Sequence, residues 1–372
     1  MKKFLTAAAV FTMFVSAQGS VVMGAENEAN QNKVKVIQIE DIDTYKTLPN
    51  GKIKEKGNAL VKHKDAIKII NTYMKQNDIN LKTDLDDPSY QEFVMSLGTQ
   101  FESFNDEDMA KVVDFVKFMD VYENYDKNKK IGKFEDKLEN NSELSEQETI
   151  ELNELLPISP DADYTVEDPT VTDDSPATVT LAEDPYTEEG EEPEDASQAA
   201  ANGYNKIKAR DYAYKWWDGR NPMYDYYAAK KGCTVKQESC WNDCANFVSQ
   251  ALYNGGMKMK YGPSYTSTTS WNYGVVPAYS WGGAHNFYLH WKGRAGIAKY
   301  TSWLQTGDAI NADYTKDGDI EHTAIITKNY GSAANQKYLT QHTEDKKELS
   351  TVKTWLNAGY RIYGYEIDKA KN

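Results

Sequence analysis

Cysteine is scarce in this chain, with three in 372 residues, and histidine nearly so, with five. Three cysteines are too few for a disulfide-framed scaffold. The spacing of Cys233, Cys240 and Cys244 also lacks the paired Cys-x2-Cys knuckles of a structural zinc site, although three zinc ligands remain the alternative to a Cys233–Cys240 pair with one free thiol. No apolar run of membrane-spanning length follows the first 25 residues, and no Leu-Pro-x-Thr-Gly sorting signal stands near the C-terminus. Basic residues are missing altogether from residues 157–200, which hold 0 Lys+Arg against 14 Asp+Glu. With a net charge of −15 overall, the chain is not expected to bind nucleic acid.

Lys2-Lys3 followed by the apolar stretch Phe4 to Ala17 reads as the charged and hydrophobic parts of a secretory signal, here residues 1–25, with cleavage after Ala17 or near Ala25. The expectation is an exported protein, secreted or wall-associated, with no stable membrane insertion once the signal is removed. A retained anchor is the alternative, and the short apolar length speaks against it.

Residues 30–156 read as a small helical domain. Leu60, Val61, Ile67, Ile70 and Met74 fit one helix over 58–76, and Phe93, Val94, Leu97 and Phe101 a second. Asn105 with Asp108 forms a capping arrangement ahead of Met109, Val112, Val113, Val116 and Met119, predicting a helix over 105–125. His63, among lysines, reads as a solvated surface residue. Residues 157–200 are rich in Pro, Thr, Asp and Glu and poor in large aliphatics. They are expected to stay disordered as an extended linker that separates the helical part from residues 201–372, or to fold back on the latter as an acidic inhibitor.

Residues 201–372 carry all eight tryptophans, four of the five histidines, and 22 Lys+Arg against 15 Asp+Glu. That surplus either draws an anionic polymer such as a wall glycan or only keeps the domain soluble. A helix over 206–217, an Asn221-Pro222 turn and a loop-rich stretch over 261–293 precede strand-like runs at 309–310, 323–327 and 337–343, an α+β pattern with an antiparallel sheet.

Cys244 stands where a polar turn meets a helix whose apolar stripe is Phe247, Val248, Ala251 and Leu252 and whose stop is Gly255-Gly256. Asn242 or Asp243 can cap it. A thiol in that first turn feels unpaired N–H groups, which lower its pKa below about 8.5, as a nucleophile needs. The alternative is a small buried core cysteine. His322, opening the run His322-Thr323-Ala324-Ile325-Ile326-Thr327, is the candidate base at the sheet edge, or else a surface histidine beside Glu321. A third group should hold the imidazole's other nitrogen. His342 and Gln341 point to opposite faces of the next strand, so one at most can serve, and His342 is preferred. Asp243, Trp271 and Trp281 are the candidate substrate-side residues, the tryptophans alternatively being core. The oxyanion is expected at the Cys244 backbone N–H, and Asp308 is read as bracing the strand that enters the site or as a plain turn residue. No metal and no cofactor are expected.

The landmarks Ala209-Arg210-Asp211-Tyr212-Ala213, Asn221-Pro222-Met223-Tyr224, Asp243-Cys244-Ala245-Asn246-Phe247-Val248-Ser249-Gln250, Gly307-Asp308-Ala309-Ile310, His322-Thr323-Ala324-Ile325-Ile326-Thr327 and His342-Thr343 together resemble the Putative amidase domain family, bacterial papain-like cysteine hydrolases related to peptidoglycan endopeptidases. The resemblance covers about residues 203–367. It implies a papain-like fold with a helix packed on an antiparallel sheet, Cys244 as nucleophile, His322 as base, and a peptidoglycan stem peptide or its link to muramic acid as substrate. The insertion between Gly232 and Trp241, with the other two cysteines, has no counterpart in that family, and the third catalytic group varies among relatives. The expected function is therefore an exported cysteine hydrolase cleaving an amide bond. The alternatives are a protease or transpeptidase with the same pair, or a catalytically inactive wall-binding or adhesion protein.

Overall fold

The computed structural model describes residues 47–140, 142–155, 199–224, 243–265, 267–274 and 277–372. The expected signal, all of the linker up to residue 198, Asn242, Cys233 and Cys240 lie outside the described residues. Among those described, no helix is long and apolar enough to cross a membrane.

The N-terminal half is helical: α1 (Lys52–Lys62), α2 (Lys64–Gln76), α3 (Pro88–Ser96), α4 (Asp106–Glu123), α5 (Tyr125–Glu139) and α6 (Glu146–Leu155). Asn105 caps α4 as its sequence predicts, its side-chain oxygen accepting from the Asp108 N–H. The single helix expected over 58–76 is two, because the chain leaves helical geometry at His63 (φ −99°, ψ 20°). His63 is also no surface residue. It is 3% exposed, with its ring 5.2 and 5.3 Å from those of Phe115 and Phe118, and burial lowers its pKa. The break turns its side chain inward onto α4 while the neighbouring lysines stay outside.

The C-terminal half begins with α7 (Lys206–Trp216) and α8 (Cys244–Asn254), followed by α9 (Tyr279–Gly282) and α10 (Ala284–Ala295). Strands β1 (Ala309–Asp313), β2 (His322–Asn329), β3 (Lys337–Gln341), β4 (Lys346–Thr351) and β5 (Arg361–Tyr365) then form one sheet, with α11 (Val352–Asn357) between the last two. The order β4-β3-β2-β1-β5 is antiparallel throughout. This matches the α+β expectation and its three strand-like runs; β4 and β5 were not read from the sequence, since Lys346, Lys347 and Glu348 mask the one and Arg361 and Gly364 interrupt the other. Strand β2 is central rather than at an edge, which corrects the expected position of His322. After α8, Gly256 adopts φ 108°, where a Cβ would meet the Gly203 oxygen at 2.7 Å, so the helix stop doubles as a close approach to the start of the domain.

Both faces of the sheet are covered. Ala309, Ile325, Tyr363 and Tyr365 belong to a core with α7, α8 and α10, whereas Ile310, Ala312, Ala324, Ile326, Leu339 and Ile362 share a core with α2, α3, α4 and Trp355. The helical half is thus not held apart by a spacer: its apolar stripes are buried on the second face of the sheet. Polar contacts seal the junction, among them Tyr360 OH to the Gly98 oxygen (2.5 Å) and Lys117 Nζ to the Ala358 oxygen (3.0 Å). A Cβ on Gly98 would lie 2.8 Å from the Tyr314 ring, itself stacked on Tyr360 at 4.4 Å. Gly98→Val should therefore destabilise the protein by about 1–3 kcal/mol. Urea unfolding of the purified chain tests this, and an unchanged midpoint would mean that the helices do not dock here in solution.

Candidate active site

Cys244 is the first residue of α8, and its thiol is 4% exposed. Two helix residues that follow, Phe247 and Val248, are fully buried against the sheet, which fixes where the helix starts relative to β2. At that start the sulfur receives the backbone N–H and the hydroxyl of Thr323 and the N–H of Ala245, all of which favour the thiolate. They are outweighed. Burial, with the Asp243 charge adding to it, pushes the thiol up to about 11, opposite to the lowered pKa expected from the helix position alone.

His322 opens β2, one peptide bond before the Thr323 N–H that meets the sulfur. Strand alternation puts its side chain on the face of Ala324 and Ile326, where the ring lies edge-on to Trp355 at 5.5 Å. Burial drives its pKa down to about 3, against an opposing contact with the Gln341 amide. At rest the pair is therefore a neutral thiol and a neutral imidazole. Gln341 gives its Nε2–H to Thr99 Oγ1 at 2.8 Å, which leaves its Oε1 as the amide atom open to the His322 ring it contacts.

His342 is not brought to His322. It points the other way, as alternation requires, with its ring stacked on Phe247 at 3.9 Å between centroids. Its Nδ1 lies 2.6 Å from Asp243 Oδ2 and its Nε2 2.7 Å from the Trp216 oxygen. Both ring nitrogens are thus engaged by Asp243 and Trp216, on the face of the strand turned away from His322. Gln341, the residue passed over in the sequence, is the one beside His322.

Asp243 likewise has a different place from the one expected. Its side chain does not cap α8, and it is fully buried instead of facing a cleft. Its carboxylate accepts from Asn246 Nδ2 at 2.6 Å, forms an ion pair with Arg220 at 2.9 Å and meets His342 Nδ1 at 2.6 Å. Arg220 in turn holds Asp345 through two N–H groups at 2.8 and 2.9 Å, and the Asp243 N–H reaches Thr343 Oγ1 at 3.1 Å. This network pins the start of the cysteine helix to the β3–β4 turn. Asp308 braces, accepting the Gln305 and Ile367 N–H groups at 2.9 Å each.

Trp271 and Trp281 are core, not a substrate wall. Neither is exposed, their rings lie 4.9 Å apart, and their indole N–H groups go to Ser249 Oγ and Asn246 Oδ1 on α8. Rings of that size are drawn to the interior of a loop-rich domain, and α8 offers them acceptors.

Residues 203–365 match the family described as Putative amidase domain. The chain is also similar to the uncharacterized protein YhbB of Bacillus subtilis (strain 168), 30% identical over 151 residues, which is 38% of this chain and 42% of that protein. No solved structure matches. The matched family is one of amide hydrolysis, and the matched stretch contains Cys244, His322, Gln341 and His342.

Two measurements check the electrostatics. A thiol near 11 is roughly 0.01% ionised at pH 7, against a few per cent for an ordinary cysteine, so alkylation of Cys244 by iodoacetamide should be at least 100-fold slower than for a free thiol. The rate should climb about tenfold per pH unit up to pH 10, read on the Cys244 peptide by mass spectrometry; a fast rate, flat from pH 6, would show a preformed thiolate. Asp243→Ala should cost about 3–5 kcal/mol in chemical unfolding, since it leaves buried partners uncompensated.

Proposed function

We propose that the C-terminal half, whose residues 203–365 belong to the Putative amidase domain family, is a thiol-dependent amide hydrolase in a papain-like arrangement. Cys244 is the nucleophile, His322 the base and Gln341 the group that orients the base. The observation that carries this reading is the Cys244 sulfur lying at the Thr323 N–H, next in sequence to an imidazole in contact with the Gln341 amide, whose oxygen has no other hydrogen bond. Such an acceptor favours the tautomer protonated on Nε2, which leaves Nδ1 as the proton acceptor.

In the reaction, the sulfur attacks the amide carbonyl carbon as the thiol proton passes to His322. The carbonyl oxygen takes up the negative charge and is met by backbone N–H groups of the first turn of α8, which lack intrahelical partners. Collapse breaks the C–N bond, and the imidazolium returns its proton to the departing amine. Water, deprotonated by His322, then cleaves the thioester and releases the acid and the free thiol. Neutral resting groups suit this sequence, because charge is created only after the substrate is bound.

The substrate class is a peptide amide of peptidoglycan, in the stem peptide or at its link to muramic acid, and the site of action is outside the cell. The cationic surplus of residues 201–372 and the signal-like start of the chain support both.

Purified peptidoglycan and synthetic stem peptides, followed for new amino groups, test the reading. Cys244→Ala should abolish release while the unfolding midpoint holds. Gln341→Ala should lower kcat by roughly 100-fold or more, from loss of the base's tautomer and orientation, and Thr99→Val should do the same more weakly by freeing the Gln341 amide. His342→Gln should act on stability more than on kcat. Wild-type turnover by the Cys244→Ala protein would rule out the mechanism, and no release by the wild-type protein would rule out the substrate.

A further inference from the structure

The loop from β1 to β2 reads Asp313-Tyr314-Thr315-Lys316-Asp317-Gly318-Asp319-Ile320-Glu321, with an oxygen-bearing side chain at every second position from Asp313 to Glu321. Against it packs the last part of α4, carrying Asp120. One carboxylate oxygen from each of Asp120, Asp317 and Glu321 lies within 4.8 Å of the others. Asp120 is 3% exposed; its Oδ1 accepts from Asn124 Nδ2 at 2.9 Å, but its Oδ2 has no hydrogen-bond partner, with the Thr315 side chain standing near. A buried carboxylate oxygen outside hydrogen-bond geometry, in a cluster with two further carboxylates, is an expensive arrangement unless a cation completes it.

We propose that Asp120, Asp317 and Glu321 bind one calcium ion, which ties α4 of the helical half to the β1–β2 loop at the residue preceding His322. The donors are all hard oxygens, which select Ca²⁺, Mg²⁺ or Mn²⁺ over the softer metals. Oxygens that share one Ca²⁺ at about 2.4 Å are at most about 4.8 Å apart, and the three here lie within that limit. The nearby basic groups are engaged at the flanks: Lys127 and His285 lie 2.6 and 3.1 Å from Asp319, and Arg361 lies 3.9 Å from Asp313. The spacing Asp313-x-Thr315-x-Asp317-Gly318 also agrees with positions 1, 3, 5 and 6 of the 12-residue calcium loop of helix–loop–helix sites, with Gly318 at φ 89° making the turn. It departs from that loop at position 12, where Ala324 stands in place of the bidentate Glu. Here a carboxylate from another helix, Asp120, contributes instead. Glu321, partly exposed, provides the way in. Calcium is favoured over magnesium because a site assembled from a loop and a separate helix does not impose the compact octahedron that Mg²⁺ demands.

Calorimetric titration and thermal unfolding of the full chain after chelator treatment test this, with CaCl₂ and MgCl₂ in parallel. The expected result is one Ca²⁺ per chain and a Tm raised by several degrees at 1 mM Ca²⁺, reversed by chelator, with a clearly smaller response to Mg²⁺. Asp120→Asn and Asp317→Asn should each weaken that binding at least tenfold while leaving the Tm in chelator equal to or above that of the wild-type protein, because each relieves repulsion without removing volume. No calcium response, or equal binding by both variants, as would follow from capture on the acidic segment 157–200, would overturn the proposal. A response to Mg²⁺ as large as that to Ca²⁺ would overturn its assignment to calcium.

Discussion

Strand β2 is buried along six consecutive residues because a helical layer covers each face of the sheet, and the rest of the architecture follows from that double burial. Thr323 and Ile325 face the layer that contains α8, whereas His322, Ala324 and Ile326 face the layer that contains α4. Cys244 at the head of α8 and His322, which faces the opposite layer, keep their places at one strand start only while both layers remain docked. The helical half is therefore part of the site's scaffold. It supplies Thr99, which holds the Gln341 amide, and the Thr99 oxygen, which takes the buried Lys346 ammonium at 2.7 Å. Loosening this half would expose apolar sheet and free the Gln341 amide that contacts His322.

The β3–β4 turn serves the same joint from the other end of the strand. Thr343 and Glu344 both sit at φ 61°, a left-handed pair that glycine or asparagine would adopt with less strain, at roughly 1–3 kcal/mol each. What they gain is reach. Thr343 accepts the Asp243 N–H at the head of α8, Asp345 holds Arg220, and Glu344 accepts from Gln100 Nε2 at 2.8 Å on the helical side. One tight turn thus clamps both layers, and its side chains repay the backbone cost through hydrogen bonds and ion pairs that a glycine turn would lack.

Much of this could be read from the residues, and the limits have physical causes. Period-3.6 stripes and capping residues located α4 and α8, and short β-rich runs located β1 to β3, because these signals are local. What a stripe is buried against is not local. The apolar faces of α2 to α4 look the same whether they close on themselves or on a sheet more than 180 residues away, which is why a separate helical domain was expected. Alternation showed that only one of Gln341 and His342 could face His322, but which one was decided by packing that no spacing reveals, against the preferred His342. The carboxylates at Asp313, Asp317, Asp319 and Glu321 were not read as a cation site, no metal being expected, and Asp120 joins Asp317 and Glu321 only in three dimensions. The tryptophans Trp271 and Trp281 had both readings open, and burial decided for core.

The thiol shows how magnitude decides between two correct principles. A helix N-terminus stabilises a nearby anion by about 0.3–1 kcal/mol, up to about 2 kcal/mol in partly buried sites, which is at most one to two pKa units downward. Full burial moves an ionisable group by up to about 3–5 units toward its neutral form. For Cys244 the second effect is larger, even with the Thr323 and Ala245 N–H groups added to the first. The neighbouring Asp243 charge works in the same direction, and its effect would be greater if Arg220 and His342 were not gathered around that carboxylate. The cluster of Asp243, Arg220 and His342 thus does two things at once: it anchors the helix whose first residue is Cys244, and it limits the penalty that a buried carboxylate one residue away imposes on any negative charge formed at the sulfur.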